Sequence, residues 1–362
     1  MIMEEKKLRS LIPIQAEWST PQLQENIASA LDGTGPALST SEISIDKIDQ
    51  DIALVVNTSG STGSTKLVAI SKSALISSAN ASNKFLGAGI GDTWSLLLPT
   101  THIAGLNVII RATVLGTRVI DNRNTTSYQD ADFVSIVPTQ LYKAVNKDPK
   151  LLEHLNAAES VLVGGSHLDL KLKKEAETKH VKIVTTYGMT EMSGGCVYSQ
   201  KPLEGVEFKL SSEGLIQLTG PMMATGYIDN QGKINPFTDN DWFTSSDIGE
   251  INNGLLKVIG RTDEIIISGG ENISLVFVES EIKKIYPDNE IIVFSLPDDK
   301  WGEKLCLGSS DDISLELIKS KLGSLLTPKQ IFKFSFIPTT AIGKPDRIAA
   351  SKLALELGEK IE

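Results

Sequence analysis

Cysteine is scarce in this chain, and several familiar sequence signals are missing. The 362 residues include two cysteines, Cys196 and Cys306, which lie far apart and do not make a disulfide framework. The four histidines show no spacing typical of metal ligands. No apolar run approaches the length that spans a bilayer, and residues 1–10 lack the apolar stretch of a secretory signal. We therefore expect a soluble, cytoplasmic protein with reduced thiols.

Positive charge is also in short supply. Lys and Arg number 35 against 45 Asp and Glu, which gives a net charge of -10. This balance argues against a nucleic-acid-binding surface or an anionic-membrane surface. Any phosphate must be bound by a few local cations. An apolar content of 41% and a charged content of 22% are ordinary for a globular protein. The length of 362 residues allows one large domain or two unequal ones.

Strand and helix patterns alternate between residues 50 and 186, which indicates α/β layers with a substantially parallel sheet. Ser71 is a plausible cap for the first of these helices. The predicted strands are 50–57, 94–98, 133–137, 160–163 and 182–186, and the predicted helices are 71–86, 139–145 and 168–180.

The pattern changes after Glu204, where short β-like pieces alternate with Gly, Asn and Asp turns and predict an antiparallel β subdomain. The last hundred residues predict helices at 275–286 and 314–325 and strands at 291–296 and 333–337. We expect a large N-terminal α/β domain, residues 1–262, and a small α+β C-terminal domain, residues 263–362, with the boundary near 260–268.

A loop of Gly, Ser and Thr, Thr58-Ser-Gly-Ser-Thr-Gly-Ser-Thr-Lys66, follows the first predicted strand. Glycines let the backbone approach a phosphate, successive N–H groups form an anion-binding nest, and Lys66 adds charge. The spacing of a Walker A loop is absent. A flexible surface loop is the alternative, but the position after a buried strand favours phosphate binding.

The segment Tyr187-Gly-Met-Thr-Glu191 offers a ring, a hydroxyl and a carboxylate close together. The Glu191 carboxylate suits Mg²⁺, Thr190 can contact a phosphate, and Tyr187 offers a flat face to a purine. Gly188 permits a sharp turn at a strand end, where α/β proteins place ligand crevices. A strand-end turn with a packed tyrosine explains the segment equally well.

Three further charged residues follow in Gly- or Ser-containing turns. Asp247 can accept hydrogen bonds from both ribose hydroxyls, and Arg261 can donate to the same sugar or to a phosphate. Lys344, between Gly343 and Pro345, can present a positive charge where negative charge develops during acyl or phosphoryl transfer. Each of them alone is more often a solvated turn residue.

Taken in order over about residues 50–350, these motifs resemble those of the acyl-adenylate-forming superfamily, which includes acyl-CoA ligases, firefly luciferase-like enzymes and nonribosomal adenylation domains. The segment 187–198, the terminal Gly343-Lys-Pro-Asp-Arg347 and the stretch Leu31–Pro36 look like the short form of the o-succinylbenzoate–CoA ligase family of menaquinone synthesis. Because 57 residues precede the Gly/Ser/Thr loop, we expect the first subdomain to be reduced, as in that short form.

The resemblance implies a two-step reaction. A carboxylate attacks the α-phosphate of MgATP to give acyl-AMP and pyrophosphate, and the thiol of coenzyme A then displaces AMP. The implied small molecules are ATP, Mg²⁺, coenzyme A and a carboxylic acid. We expect no nucleic-acid partner and no membrane span, and a homo-oligomer stays open. The β- and γ-phosphates would be bound by the loop that carries Thr58, Ser59, Gly60, Ser61, Thr62, Gly63 and Lys66.

The resemblance also implies the other site residues. Tyr187 and Gly188 would contact adenine, Thr190 and Glu191 phosphate and Mg²⁺, and Asp247 and Arg261 the ribose, while Lys344 would bridge the attacking carboxylate and the α-phosphate. Asp263 matches the hinge of a rotating C-terminal domain. The remaining residues would form the acyl pocket (His102, Gly164, Gly165, Ser193, Gly194) and the coenzyme A tunnel (Gly269, Gly270).

Other functions remain open on the sequence. A ligase for another small or aryl acid would use the same machinery, and an adenylation enzyme that loads a carrier protein would make acyl-AMP without accepting free coenzyme A. A binding protein with a dead site is disfavoured because the charged residues of every motif are present. The acid o-succinylbenzoate has two carboxylates and needs a second anion site, which positions near 193–195 and 101–102 could supply.

Overall fold

The computed structural model describes residues 7–59, 65–229, 231–237, 241–339 and 345–359. The chain divides into two compact units. The first comprises Met1–Ser245 and Glu250–Lys257, and the second comprises Ser246–Gly249 and Val258–Glu362. The predicted domain boundary between residues 262 and 263 stays a prediction.

The strands, in chain order, are β1 (Leu8–Pro13), β2 (Ala37–Ser39), β3 (Lys47–Asp49), β4 (Ile52–Ser59), β5 (Thr65–Ser71), β6 (Trp94–Leu96), β7 (Val119–Asp121), β8 (Phe133–Ile136), β9 (Ser160–Val163), β10 (Ile183–Met189), β11 (Gly194–Tyr198), β12 (Lys201–Pro202), β13 (Glu207–Leu210), β14 (Leu215–Thr219), β15 (Gly226–Ile228), β16 (Ile234–Asn235), β17 (Phe243–Asn252), β18 (Leu255–Arg261), β19 (Ile265–Ser268), β20 (Glu271–Ser274), β21 (Ile291–Asp298), β22 (Gly302–Ser309) and β23 (Gln330–Lys333).

The helices are α1 (Thr20–Asp32), α2 (Lys72–Leu86), α3 (Ile103–Val114), α4 (Pro138–Asn146), α5 (Pro149–Ala157), α6 (Leu170–Thr178), α7 (Leu275–Ile285), α8 (Leu315–Leu322) and α9 (Arg347–Glu359). Two single 3₁₀ turns lie at Thr190–Met192 and Thr262–Glu264. In the described part of the chain, no helix is both long and apolar enough to cross a membrane.

Two mixed sheets form the frame of the first unit. One has the strand order β16-β15-β5-β4-β2-β1-β3, and the other has the order β12-β11-β10-β9-β8-β6-β7. In the second sheet β7, β6, β8, β9 and β10 run parallel, and β11 returns antiparallel beside β10. The parallel portion confirms the α/β architecture, because such sheets need helices on both faces.

Helices α1, α2 and α3 pack between the two sheets and share one apolar core with them. Helices α1 and α2 start where the sequence provides a cap: Ser19 forms a capping box with Gln22 before α1, and Ser71 accepts from the N–H of Ala74 at the start of α2. Helices α4, α5 and α6 build a separate core with residues of β8 and β9.

The four strands β13, β14, β17 and β18 form a small sheet in that order, as the turn-rich composition predicts. In the second unit β20, β19, β22 and β21 form a sheet with β23 parallel beside β22. Two cores accompany it: α7 and α8 contribute to one, and α9 contributes Ala350 and Ala354 to the other.

Most predicted elements are confirmed within a few residues, and one strand is wrong. The predicted strand 333–337 overlaps β23 only at Lys333. The reason is the length of its partner, because β22 ends at Ser309, which pairs with Lys333. Beyond that pair no strand among the described residues continues the ladder, although the side chain of Phe334 is buried in the core.

Candidate active site

The Gly/Ser/Thr loop connects two paired antiparallel strands. Thr58 on β4 stands opposite Lys66 on β5, and the Thr58 hydroxyl donates to the Lys66 carbonyl at 3.3 Å. A strand therefore follows the loop before helix α2 begins. The positions expected to contact phosphate at Gly60, Ser61, Thr62 and Gly63 lie outside the described residues, as does the side chain of Ser59.

The side chain of Lys66 is exposed and its ammonium group lies over an aromatic ring. Lys66 Nζ is 4.8 Å from the centroid of the Tyr227 ring, a cation–π distance. Tyr227 lies on β15, opposite Val68 of β5. This pairing places the side chain of Tyr227 beside that of Lys66, which also lies on β5. The ring also packs edge-on against Phe237 with 4.6 Å between centroids.

The hydroxyl of the same tyrosine donates to Glu191. Tyr227 Oη lies 2.7 Å from Glu191 Oε1, and the carbonyl of Glu191 accepts from the N–H of Ala224 at 2.8 Å. Burial, and then the nearby Glu191 carboxylate, raise the pKa of the Tyr227 phenol well above its ordinary value, so it is a donor at neutral pH. One side chain thus joins the loop lysine to the carboxylate of the second motif.

Sequence reasoning missed Tyr227. It lies in Gly226-Tyr-Ile228, a strand of three residues. Nothing in this local sequence indicates contact with Glu191 or Lys66, which lie 36 and 161 positions away. The bulky ring directly after a glycine in a turn-rich region is the one sequence signal that could have raised attention.

The arrangement fits a magnesium ion that is bound mainly by its nucleotide. Among the described residues, no group of three or more His, Cys, Asp or Glu side chains could form a complete metal cage. Mg²⁺ in phosphate-transfer sites is usually held by one or two carboxylates together with substrate phosphates and waters. The carboxylate of Glu191, which Tyr227 joins to Lys66, matches that requirement.

Tyr187 and Gly188 lie inside β10, which corrects the expected strand-end turn at Gly188. Gly188 pairs with Gly195 of β11, and a Cβ at Gly188 would lie 2.0 Å from the carbonyl oxygen of Gly194. Close approach of two backbones is therefore the reason for glycine here. Tyr187 is half-buried on the same strand, and Thr190 begins the 3₁₀ turn that carries Glu191.

The residues after Glu191 form a tight, buried bend. Ser193 has a left-handed backbone with φ of 54°, its side chain is buried, and its hydroxyl donates to the Met222 carbonyl at 2.7 Å. Gly194 has φ of 106°, and a Cβ there would lie 2.1 Å from Asn107 Nδ2. The Ser193 hydroxyl is thus engaged by the backbone, and Gly194 lies against α3.

The other expected acyl-pocket residues lie at the starts and ends of nearby elements. His102 is the N-cap residue of α3, where its side chain makes no capping hydrogen bond. A Cβ at Gly164 would lie 2.0 Å from Thr186 Oγ1, directly before Tyr187. Gly165 follows with φ of 84° and is exposed. Their role in binding an acyl group stays a prediction.

A buried arginine on α3 was also missed. Arg111 is 5% exposed, donates to Tyr198 Oη at 2.9 Å and to Ser135 Oγ at 3.4 Å, and stacks 4.9 Å above the Trp94 ring. No carboxylate of the described residues forms an ion pair with it. A guanidinium buried among neutral partners is costly. The sequence signal that could have revealed Arg111 is that it is the single charged residue of the apolar helix Ile103–Val114.

In the second unit, Asp247 and Arg261 lie together as the ribose interpretation requires. Arg261 Nη1 is 3.4 Å from Asp247 Oδ1, and the Asp247 side chain is 10% exposed against 40% for Arg261. Asp263 belongs to the 3₁₀ turn Thr262–Glu264, but its side chain lies outside the described residues.

The turn that carries Lys344 is described at its two ends, residues up to 339 and from 345. Gly343 and Lys344 lie outside the described residues, whereas Pro345 bridges to Thr339 and the N–H of Asp346 donates to the Pro338 carbonyl at 2.9 Å. These contacts bring the two ends of the turn together.

The two expected tunnel glycines form the turn between β19 and β20. Gly269 and Gly270 have φ of 62° and 87°, conformations that favour glycine. A Cβ at Gly269 would lie 2.9 Å from the Trp301 ring, whereas nothing lies within 4 Å of one at Gly270.

Comparison with known proteins decides the family. The family described as "AMP-binding enzyme" matches residues 4–227. This chain belongs to the AMP-binding enzyme family. Membership agrees with the superfamily resemblance and with the convergence of Lys66, Tyr227 and Glu191 in the first unit.

Relatives of this AMP-binding enzyme cover most of its length. The "Probable 2-succinylbenzoate--CoA ligase" of Mycobacterium tuberculosis H37Rv is 32% identical over 329 residues, which is 84% of this chain and 85% of that protein. The 2-succinylbenzoate–CoA ligase of Lactococcus lactis is 30% identical over 332 residues, 83% of this chain and 71% of that protein.

Solved structures confirm the fold. The o-succinylbenzoate coenzyme A synthetase of Bacillus subtilis, in complex with ATP and magnesium ion, matches with a TM-score of 0.74 and 25% identity over 93% of this chain and 83% of that one. The same enzyme in complex with the acyl-adenylate intermediate matches with a TM-score of 0.74 and 24% identity over 94% of this chain and 82% of that one.

Proposed function

We propose that this AMP-binding enzyme is an ATP-dependent CoA ligase that converts 2-succinylbenzoate into its coenzyme A thioester through an acyl-AMP intermediate. Two observations support the proposal: relatives with that name align over more than four-fifths of the chain, and the first unit brings Lys66, Tyr227 and Glu191 together. The second observation carries the chemistry, because it unites the phosphate-loop motif with the carboxylate motif.

In the first step, a carboxylate oxygen of the acid attacks the α-phosphorus of ATP, and the bond to the β-phosphate oxygen breaks to release pyrophosphate. Glu191 would hold Mg²⁺ together with the phosphates, and the bound ion would neutralise charge on the leaving group. Lys66 would contact the β- and γ-phosphates, Lys344 would stabilise charge between carboxylate and α-phosphate, and the Asp247–Arg261 pair would bind the ribose.

In the second step, the thiol sulfur of coenzyme A attacks the acyl carbon, the bond to AMP breaks, and the thiol proton passes to solvent or base. The turn at Gly269 and Gly270 would provide room for the pantetheine arm, and Asp263 would be the hinge between the two steps. AMP, rather than ADP, is the nucleotide product.

The preference for a dicarboxylate rests on Arg111. The substrate's second carboxylate needs a cation, and Arg111 offers a guanidinium that has only neutral described partners. Arg111 lies on α3, the helix that begins after His102 and carries Asn107 against Gly194. A carboxylate bound to Arg111 would offset the cost of burying the guanidinium.

Acid-dependent exchange of pyrophosphate into ATP tests the first step. We expect exchange with 2-succinylbenzoate and weak exchange with an analogue that lacks its ring carboxylate. In the Arg111→Met variant the KM for 2-succinylbenzoate should rise about 10- to 100-fold, the value of a hydrogen bond to a charged group, while exchange with the analogue stays unchanged. Equal exchange with many acids in the wild-type chain would leave a broader acid ligase instead.

A further inference from the structure

We infer that Tyr227 is a positioning residue that sets Glu191 relative to Lys66 and thereby determines how much Mg²⁺ strengthens the binding of ATP. The inference rests on the proposed function, because it concerns the same nucleotide site. Its evidence is a set of contacts among described residues of the first unit.

The ring and the hydroxyl of Tyr227 have separate partners of opposite charge. The face of the ring receives the ammonium of Lys66 at 4.8 Å, and the hydroxyl donates to Glu191 Oε1 at 2.7 Å. The hydroxyl of Tyr227 occupies one lone pair of Oε1 and leaves the other carboxylate oxygen for a ligand. The tyrosine therefore orients the carboxylate without neutralising it.

The segment that carries Tyr227 is hydrogen-bonded to Glu191 and to strand β5, which follows the Gly/Ser/Thr loop. The N–H of Ala224 donates to the Glu191 carbonyl at 2.8 Å, and the N–H of Thr225 donates to the Ala69 carbonyl of β5 at 2.8 Å. The pairing of Tyr227 with Val68 continues that ladder toward Lys66. Movement of Tyr227 would thus be resisted by the backbone on either side, which is what a positioning side chain requires.

The aromatic surroundings hold the ring itself. Phe237 contacts Tyr227 edge-on at 4.6 Å, and Phe243 contacts Phe237 at 5.3 Å. These contacts do not involve the hydroxyl, so Tyr227→Phe removes the hydrogen bond to Glu191 and keeps the ring for Lys66 and Phe237.

The test is the advantage that magnesium gives to ATP binding, measured by calorimetry without acid or coenzyme A. The advantage is the ratio of the Kd for ATP in EDTA to the Kd for MgATP. In Tyr227→Phe we expect this ratio to fall about tenfold, because a hydrogen bond to a charged group is lost, with the Kd in EDTA unchanged. A purely structural role would shift both Kd values together or neither.

Two further variants sharpen the result. Glu191→Gln should lose the advantage as well, and the double variant should lose no more than Glu191→Gln alone, because Tyr227 acts through Glu191. Tyr128→Phe is the matched control, since the Tyr128 hydroxyl also donates to a carboxylate, Asp148 Oδ2 at 3.4 Å, away from these motifs. Tyr128→Phe should leave the ratio unchanged.

The outcomes separate this inference from the proposed function. A wild-type chain with no magnesium advantage would overturn the nucleotide site itself. A wild-type advantage that Tyr227→Phe retains, or that falls additively in the double variant, would overturn the positioning role of Tyr227 alone.

Discussion

The side-chain amide of Asn107 donates to the carbonyl of Ser193 at 2.8 Å. Both residues are buried, and the bond joins the middle of helix α3 to the left-handed bend that follows Glu191. The Ser78 hydroxyl also donates to this carbonyl, at 3.4 Å. The bend that ends the carboxylate motif is therefore fixed from α2 and α3, the helices packed between the two sheets.

Gly194→Ala should destabilise the protein by about 2–4 kcal/mol, the sum of backbone strain and a broken buried hydrogen bond. At φ of 106° a side chain is strained, and the new Cβ would lie 2.1 Å from Asn107 Nδ2, which must then move away from Ser193. Chemical denaturation measures the change in the free energy of unfolding.

The matched control is Gly254→Ala. Gly254 has φ of 76° and nothing within 4 Å of the new Cβ, so only strain of about 1–2 kcal/mol is expected. Equal losses in the two variants would show that the contact with Asn107 contributes nothing.

Lys344→Ala should slow adenylation at least about 10²-fold, because a cation aimed at developing charge is removed. Thioester formation from supplied acyl-AMP should be spared. The two half-reactions are measured separately, by pyrophosphate exchange and by release of AMP on addition of coenzyme A. Equal slowing of both would rule out a role confined to adenylation.

Gly270→Leu should slow the thiol step more than adenylation, if this turn borders the coenzyme A tunnel. A side chain is strained at either glycine, but nothing lies within 4 Å of the new Cβ at Gly270, whereas a side chain at Gly269 must also displace Trp301. Single-turnover rates of the two steps provide the measurement. A larger effect on adenylation would refute the tunnel placement.

Asp121→Asn should lower stability at pH 7, and the difference from the wild-type chain should vanish in acid. Burial would raise the pKa of Asp121, but hydrogen bonds from Arg123 and Thr20 outweigh it and hold the pKa below its ordinary value. A depressed pKa contributes stability above the unfolded pKa of about 3.9, and that contribution is lost as the pH falls through the folded value.

The measurement is the thermal midpoint of the wild-type chain and of Asp121→Asn between pH 3 and 7. The control variant is Asp299→Asn, since Asp299 is exposed. A difference that stays constant over that range would show that the charge of Asp121 is not the stabilising feature.

Local signals predicted much of the fold. Ser71 caps α2 as predicted, and the apolar run Ser160–Val163 is strand β9. The order of strands within the sheets could not be predicted from the sequence. For example, β15 pairs with β5 across more than 150 positions of the chain, and such backbone pairing leaves little trace in composition.

The candidate site shows the same division. Lys66 and Glu191 could be singled out because Gly-rich loops and carboxylates have recognisable chemistry. Tyr227 and Arg111 could not, since their significance comes from what tertiary structure places beside them: a cation and a carboxylate for one, and only neutral groups for the other.

Product mass spectrometry tests the central claim most directly. The purified protein is given MgATP, coenzyme A and a panel of carboxylic acids that includes 2-succinylbenzoate. The proposed function predicts 2-succinylbenzoyl-CoA together with AMP, in equal amounts and only when all three substrates are present. Formation of ADP, or no thioester with 2-succinylbenzoate while another acid gives AMP and its own thioester, would contradict it.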